Sequence, residues 1–122
     1  MSWEFDNSIP IYIQLVDRIK LLIISGKIRL GEKLSSVRDL AEETGVNPNT
    51  MQRALAELER EGLIYSVRTS GRFVTEDAGL IKQIRDRLAN EKIESLFDAL
   101  AELGYGHSEI VDAITERVNR NE

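Results

Sequence analysis

The apolar positions of this chain change period twice, and the changes divide it into helix, hairpin and helix again. Over residues 9–25, Ile11, Leu15, Ile19, Leu22 and Ile23 recur at helical spacing. They predict a helix with Ser8 as its cap, Pro10 in its first turn and Gly26 after its end. Tyr12 falls off that stripe and is expected to pack against a neighbouring element or a second subunit. Trp3 and Phe5, in a polar segment ahead of the helix, are expected to dock onto the body. Residues 27–35 alternate Ile28 and Leu30 with charges and read as a brief edge strand before a turn at Gly31. Residues 36–62 hold two short helices. Ser36 and Asp39 fit a capping box, Gly45 a left-handed stop, and Asn47-Pro48 a cap with its first helical residue. In the second helix of the pair Met51, Ala54, Leu55 and Leu58 form one stripe at i, i+3, i+4 and i+7.

After Gly62 the residues become β-prone. Two runs, 63–67 and 72–75, flank the turn residues Arg68-Thr69-Ser70-Gly71 and predict a β-hairpin. From 77 onward the helical period returns through Leu80, Ile81, Ile84 and Leu88. After a polar interval at 90–92 it resumes with Ile93, Leu96, Phe97, Leu100 and Leu103. The interval shifts the stripe, which predicts a kink or a change of packing partner near 90. Gly104-Tyr105-Gly106 breaks the helix, with Tyr105 anchoring the turn and His107 in the loop. Ser108 is expected to cap a last helix with Ile110, Val111, Ile114 and Val118 inside.

Three helices followed by a hairpin are the winged helix-turn-helix arrangement. The expected fold is therefore mainly α with a small β-hairpin: a winged helix-turn-helix domain over 1–76 and a two-helix region over 77–122. Two helices on a tight loop cannot bury both apolar faces on each other. Leu80, Ile81, Ile84, Leu88, Leu96, Leu100 and Leu103 are accordingly expected to meet a second copy of the chain.

Composition narrows the chemistry. The 122 residues contain no cysteine, which excludes disulfides and Cys-ligated zinc. The amino terminus is polar and acidic, and no apolar run reaches membrane-spanning length, so a cytoplasmic protein is expected. No Ser/His/Asp set, supported carboxylate pair or phosphate-cradling glycine loop occurs, and His107 is the single histidine. An enzyme, a metal site and a cofactor are not expected. The net charge of −5 would by itself oppose binding to DNA. Its distribution removes the objection: residues 1–75 hold ten basic and ten acidic side chains, residues 76–122 six basic and eleven acidic. Residues 62–75 carry Arg68 and Arg72 and no acid at all. Local field governs docking on phosphates, because salt screens beyond about 8–10 Å.

The exposed face expected for the helix beginning at Pro48 carries Asn49, Thr50, Gln52, Arg53 and Ala56. Short polar groups and one arginine suit a helix lying in a DNA groove. An ordinary solvated face of a helical hairpin has the same spacing. Arg53 can read guanine with its two-pronged guanidinium or pair with Glu57 one turn on; Gln52 can read adenine or stay solvated. Asn49 and Thr50 suit phosphate contact or capping.

Four linked motifs then carry a resemblance: PIYIQL (10–15), SGKIRLGEKLSSVRDLA (25–41), GVNPNTMQRALAELEREGLI (45–64) and RTSGRFV (68–74). Over residues 10–75 the chain resembles the GntR family of bacterial transcription regulators. NPNT, QRAL and a tail of roughly forty-five residues are most similar to the YtrA subfamily. The resemblance implies a dimeric regulator, a repressor in its expected sign, that binds an inverted-repeat operator in double-stranded DNA. It implies dimerisation through the two C-terminal helices and control of ABC-transporter genes. Any small-molecule effector is unidentified. Position by position, Arg38 matches the family's DNA-contacting arginine, with a pair to Glu42 as the alternative. Asn49, Thr50, Gln52 and Arg53 match the recognition-helix face. Arg68, Ser70, Gly71 and Arg72 match the wing tip, which reaches toward the minor groove; the alternative is that the arginines only make the hairpin soluble. Two departures stand out. Leu34-Ser35-Ser36 replaces the family's Leu-Pro-Ser, and Thr69-Ser70-Gly71-Arg72 replaces its Gly-Lys-Gly-Thr. The rival reading is a winged-helix protein-interaction module without specific DNA binding, in which the acidic tail is the working surface.

Overall fold

The computed structural model describes residues 3–120. Their order is α1 (Ile11–Ile24), α2 (Val37–Thr44), α3 (Pro48–Arg60), β1 (Ile64–Val67), β2 (Gly71–Val74), α4 (Ala78–Glu102) and α5 (His107–Asn119). Five helices and a two-stranded antiparallel hairpin give the mainly α fold expected from the sequence.

Local chemistry sets most of these boundaries. Ser36 Oγ accepts the Asp39 N–H at 3.1 Å, and Gly45 takes φ 75° to close α2. Asn47 Oδ1 accepts the Asn49 N–H at 2.7 Å, and Pro48 follows as the first helical residue, where a missing N–H is harmless. The interval between the two helices is thus fixed by three short-range signals. Asp77 Oδ1 accepts from Leu80 N at 3.0 Å and starts α4.

Three starts differ from expectation. Ser8 does not cap α1. It bonds to Asp6, with Ser8 Oγ donating to Oδ1 at 2.7 Å, while the Gln14 amide donates to the carbonyls of Asp6 and Ile9 ahead of the helix. Ser8 lies too far upstream, because Pro10 already holds the position before Ile11. Ser108 does not cap α5 either. Gly106 occupies the cap and Glu109 Oε1 accepts its N–H at 2.8 Å, so His107 opens the helix instead of lying in a loop. Ile28 and Leu30 form no strand. The pairing occurs further on, where Lys33 bridges Phe73 and Leu34 N donates to Arg72 O at 2.9 Å.

The described residues form two compact units that divide inside α4, after Gln83. α4 is one continuous helix through the polar interval at 90–92. In the first unit α3 packs against α1, α2 and β1. Met51, Ala54, Leu55 and Leu58 are all buried, as their spacing predicts. They meet a core that includes Leu15, Ile23, Leu63, Ile64 and Val74. Val16 and Ile24 join the buried face of α1, whereas Ile11 and Leu22 are only half-buried. Trp3 and Phe5 do dock: the Arg18 guanidinium lies 4.8 Å and 5.2 Å from their ring centroids, and Trp3 N donates to Thr44 O at 3.1 Å. In the second unit Phe97 packs against His107 with ring centroids 6.1 Å apart. Among the described residues no helix is long and apolar enough to cross a membrane.

Candidate nucleic-acid interface

With its apolar stripe buried, α3 turns its other side outward. Asn49, Gln52, Arg53 and Ala56 are exposed, and Thr50 is half-buried. The two flanks of this face are occupied differently, and the difference decides which charges are free. On the α1 flank, Glu57 is held by Arg60, whose Nε donates to Oε1 at 3.1 Å. That guanidinium holds the Glu57 carboxyl below its ordinary range and raises Arg60 in turn. Glu61 pairs with Lys20 of α1 at 2.8 Å, with both side chains largely buried. The expected alternative for Arg53, a bridge to Glu57, is therefore not formed. Arg53 instead lays its guanidinium over the Tyr12 ring, 3.9 Å from the centroid.

On the wing flank the anion is Glu59. Ser66 Oγ donates to its Oε1 at 3.1 Å, and Arg72 Nε approaches the same oxygen to 3.8 Å. Ser66 and Arg72 face each other in the β1–β2 register, so one carboxylate on α3 gathers both strands. Arg72 is thus drawn back against α3 and is only 23% exposed. Its charge partner lies within the fold, which the sequence pattern alone did not indicate. Arg68, Ser70 and Gly71 remain exposed at the hairpin's end. The turn itself, closed by Ser70 N donating to Val67 O at 2.9 Å, needs a left-handed residue and places Thr69 there at φ 75°. That is the position where the family pattern has its first glycine.

Arg38, near the start of α2, is exposed and makes no salt bridge among the described residues; the alternative pair with Glu42 is absent. Between the start of α2 and the hairpin lies an open cleft of about 610 Å³, lined in part by Lys33, Ser35, Ser36, Ser70, Gly71 and Arg72. Lys33 is the cation that sequence reasoning passed over. Its side chain runs across Gly71, where an added Cβ would come within 3.3 Å of Lys33 Cε. Its sole signal in the sequence is its position just ahead of the second helix. Hydroxyls, an early helical turn and a lysine around an open cleft suit the oxygens of a phosphate backbone.

The apolar positions expected to meet a second chain fall into two groups. Ile81 and Ile84 are buried within the chain, and Leu80, Leu88 and Leu100 are half-buried. Leu96 and Leu103 are 44% and 73% exposed, joined by Ile93, Val111 and Val118.

A helix presenting an uncommitted polar face, a preceding helix docked across it and a basic hairpin beside it define a winged helix-turn-helix regulator. Residues 11–74 match the model of the bacterial regulatory proteins of the gntR family. The chain belongs to the GntR family. Its relatives are transcription regulators rather than enzymes. It is 44% identical over 72 residues to the transcriptional repressor YtrA of Bacillus subtilis, covering 59% of this chain and 55% of that protein. A solved GntR family regulator from Listeria monocytogenes superposes with a TM-score of 0.84 at 40% identity, over 92% of this chain and 98% of that one. The AraR DNA-binding domain, solved in complex with its operator ORX1, matches 62% of this chain and 99% of its own, with a TM-score of 0.54 and 29% identity.

Proposed function

We propose that the chain is a homodimeric, cytoplasmic transcriptional repressor that reads an inverted-repeat operator in double-stranded DNA with α3. The observation that carries the reading is the outer face of α3. Its anions at 57, 59 and 61 are each matched by a cation of the fold, and its exposed donors at Asn49, Gln52 and Arg53 are left facing outward. A side chain with free donors on a helix of this width can reach base edges in a major groove. Arg38, Lys33 and Arg68 flank that face with positive charge suited to the phosphates on either side. AraR, whose similar domain was solved on its operator, supports DNA as the ligand, and YtrA supports repression as the outcome. The homodimer is supported by the apolar side chains left exposed at Ile93, Leu96, Leu103, Val111 and Val118.

Selection from a randomised duplex library with the full chain tests this. Enrichment of two inverted half-sites, centred about one helical turn or a multiple of it apart, is expected. No enriched sequence, or binding insensitive to salt, would overturn DNA reading and favour a protein-interaction module. Enrichment of a lone half-site, with a sedimentation mass of one chain at micromolar concentration, would overturn the dimer.

A further inference from the structure

Arg53 is the longest donor on the outward face of α3, yet it touches nothing that uses its hydrogen-bonding capacity. Among the described residues it makes no hydrogen bond and no ion pair. Its guanidinium lies over the ring of Tyr12, the second residue of α1, at 3.9 Å from guanidinium carbon to ring centroid. The two stacks that Arg18 makes on Trp3 and Phe5 are longer, at 4.8 Å and 5.2 Å. The competing partner one turn along, Glu57, is withdrawn by Arg60, and Glu61 beyond it by Lys20. The α1 flank therefore draws Glu57 and Glu61 to other cations and offers Arg53 an aromatic ring instead.

The chemistry of that substitution is specific. A guanidinium is planar and carries its five donors around its edge, so stacking covers a face and leaves the whole fork available. A carboxylate partner would do the opposite and consume the fork. Stacking also limits the many rotamers a free arginine would have to surrender on binding, the usual route by which pre-organisation raises affinity.

We propose that Tyr12 is a positioning residue for sequence reading: its ring holds the Arg53 guanidinium edge-outward, poised for the paired acceptors of guanine. The proposal rests on DNA reading by α3 and deepens it. It makes α1 part of the specificity apparatus. A cation–π contact at an exposed site supplies a modest free energy, equivalent to about a two- to fivefold effect on an equilibrium.

The test uses the full chain, the duplex enriched by the unaltered protein and a scrambled duplex of equal length, and reads the ratio of the two affinities. Tyr12→Phe keeps the ring and is expected to keep the ratio. Tyr12→Leu is expected to lower it about two- to fivefold. Tyr12→Met, of similar bulk and without a ring, guards against a folding failure of the leucine variant, and thermal melts of all variants are compared. In an Arg53→Ala background, Tyr12→Leu is expected to change the ratio no further, since coupled residues are non-additive. A ratio unmoved by Tyr12→Leu and Tyr12→Met, with Arg53→Ala lowering it, overturns the positioning role and leaves DNA reading standing. The same loss with and without Arg53 also overturns it, by showing that Tyr12 acts through the fold. A ratio unchanged in Arg53→Ala removes Arg53 from base reading and the proposal with it. Failure of the library to enrich any duplex is the separate failure of the DNA-binding reading itself.

Discussion

Thr69 holds a backbone conformation that a β-branched side chain disfavours. It is the only described non-glycine residue with positive φ, at 75°, and it sits in the turn of the wing. A left-handed conformation costs a non-glycine residue on the order of 1–2 kcal/mol. Asparagine tolerates it better and, unlike glycine, adds little freedom to the unfolded chain. Thr69→Asn is therefore expected to stabilise the protein by about 1 kcal/mol, seen as a thermal midpoint several degrees higher. An unchanged midpoint would count against strain in this turn. Glu57 offers a second residue-level expectation, one of sign. Its carboxyl is depressed by hydrogen bonding to Arg60, so the pair's contribution is complete above the ordinary carboxylate range. It is lost as pH falls through the lowered folded value. Glu57→Gln should thus be less stable than the parent at pH 7, with the gap closing in acid; urea melts at pH 7 and pH 3 would measure it.

Between elements, the most informative contact is the one Glu59 makes to both strands of the hairpin. Ser66 and Arg72 lie opposite each other in register, and both turn toward the same carboxylate of α3. The wing is tied to the recognition helix by this cluster, with the Tyr65–Phe73 ring stack, 5.8 Å between centroids, on the neighbouring register pair. Glu59→Ala should leave α3 intact and loosen the hairpin. The expected signature is faster amide exchange in β1 and β2, with a global cost of about 0.5–1 kcal/mol because the partners are partly solvated. Equal protection in both proteins would show that the rings alone hold the wing. The elements themselves were largely legible beforehand. Ser36, Gly45, Asn47 and Pro48 act within three or four residues of chain, and Met51, Ala54, Leu55 and Leu58 needed only a period. The misread starts at Ser8 and Ser108 have one cause: the backbone enters each helix at Pro10 and Gly106, which have no capping side chain for a sequence pattern to find.

At the scale of the whole molecule, the cations beside α3 set the expected salt dependence. Arg72 pairs with Glu59 and Arg53 lies over Tyr12, which leaves Lys33, Arg38 and Arg68 around that face on each chain. If a dimer uses all of them, six phosphates are neutralised, and log affinity should fall against log salt with a slope of roughly −5. A slope near −10 would require cations beyond these. Leu103→Lys, at a position 73% exposed in the single chain, should shift the sedimentation mass toward one chain and weaken operator binding together. Dissociation without loss of operator binding would separate the two properties.

Much of this protein was determined by sequence alone, because what it determined is local. Helix periods, caps, the hairpin turn, the acid-free stretch around the wing and the four linked motifs all act over short separations along the chain. What the sequence could not decide is which charge meets which. Arg53 has Glu57 one helical turn away and yet turns to Tyr12, forty-one residues earlier in the chain. Arg72 looks like a free wing cation and is held by Glu59. Lys33, joined to β2 by a single bridge to Phe73, is brought across Gly71 to the cleft beside the wing. Coulomb and stacking interactions depend on distance in space, and only the packing of α1 and the hairpin around α3 sets those distances. The tertiary structure thus selected among the side chains the sequence had marked, and added Lys33 to them.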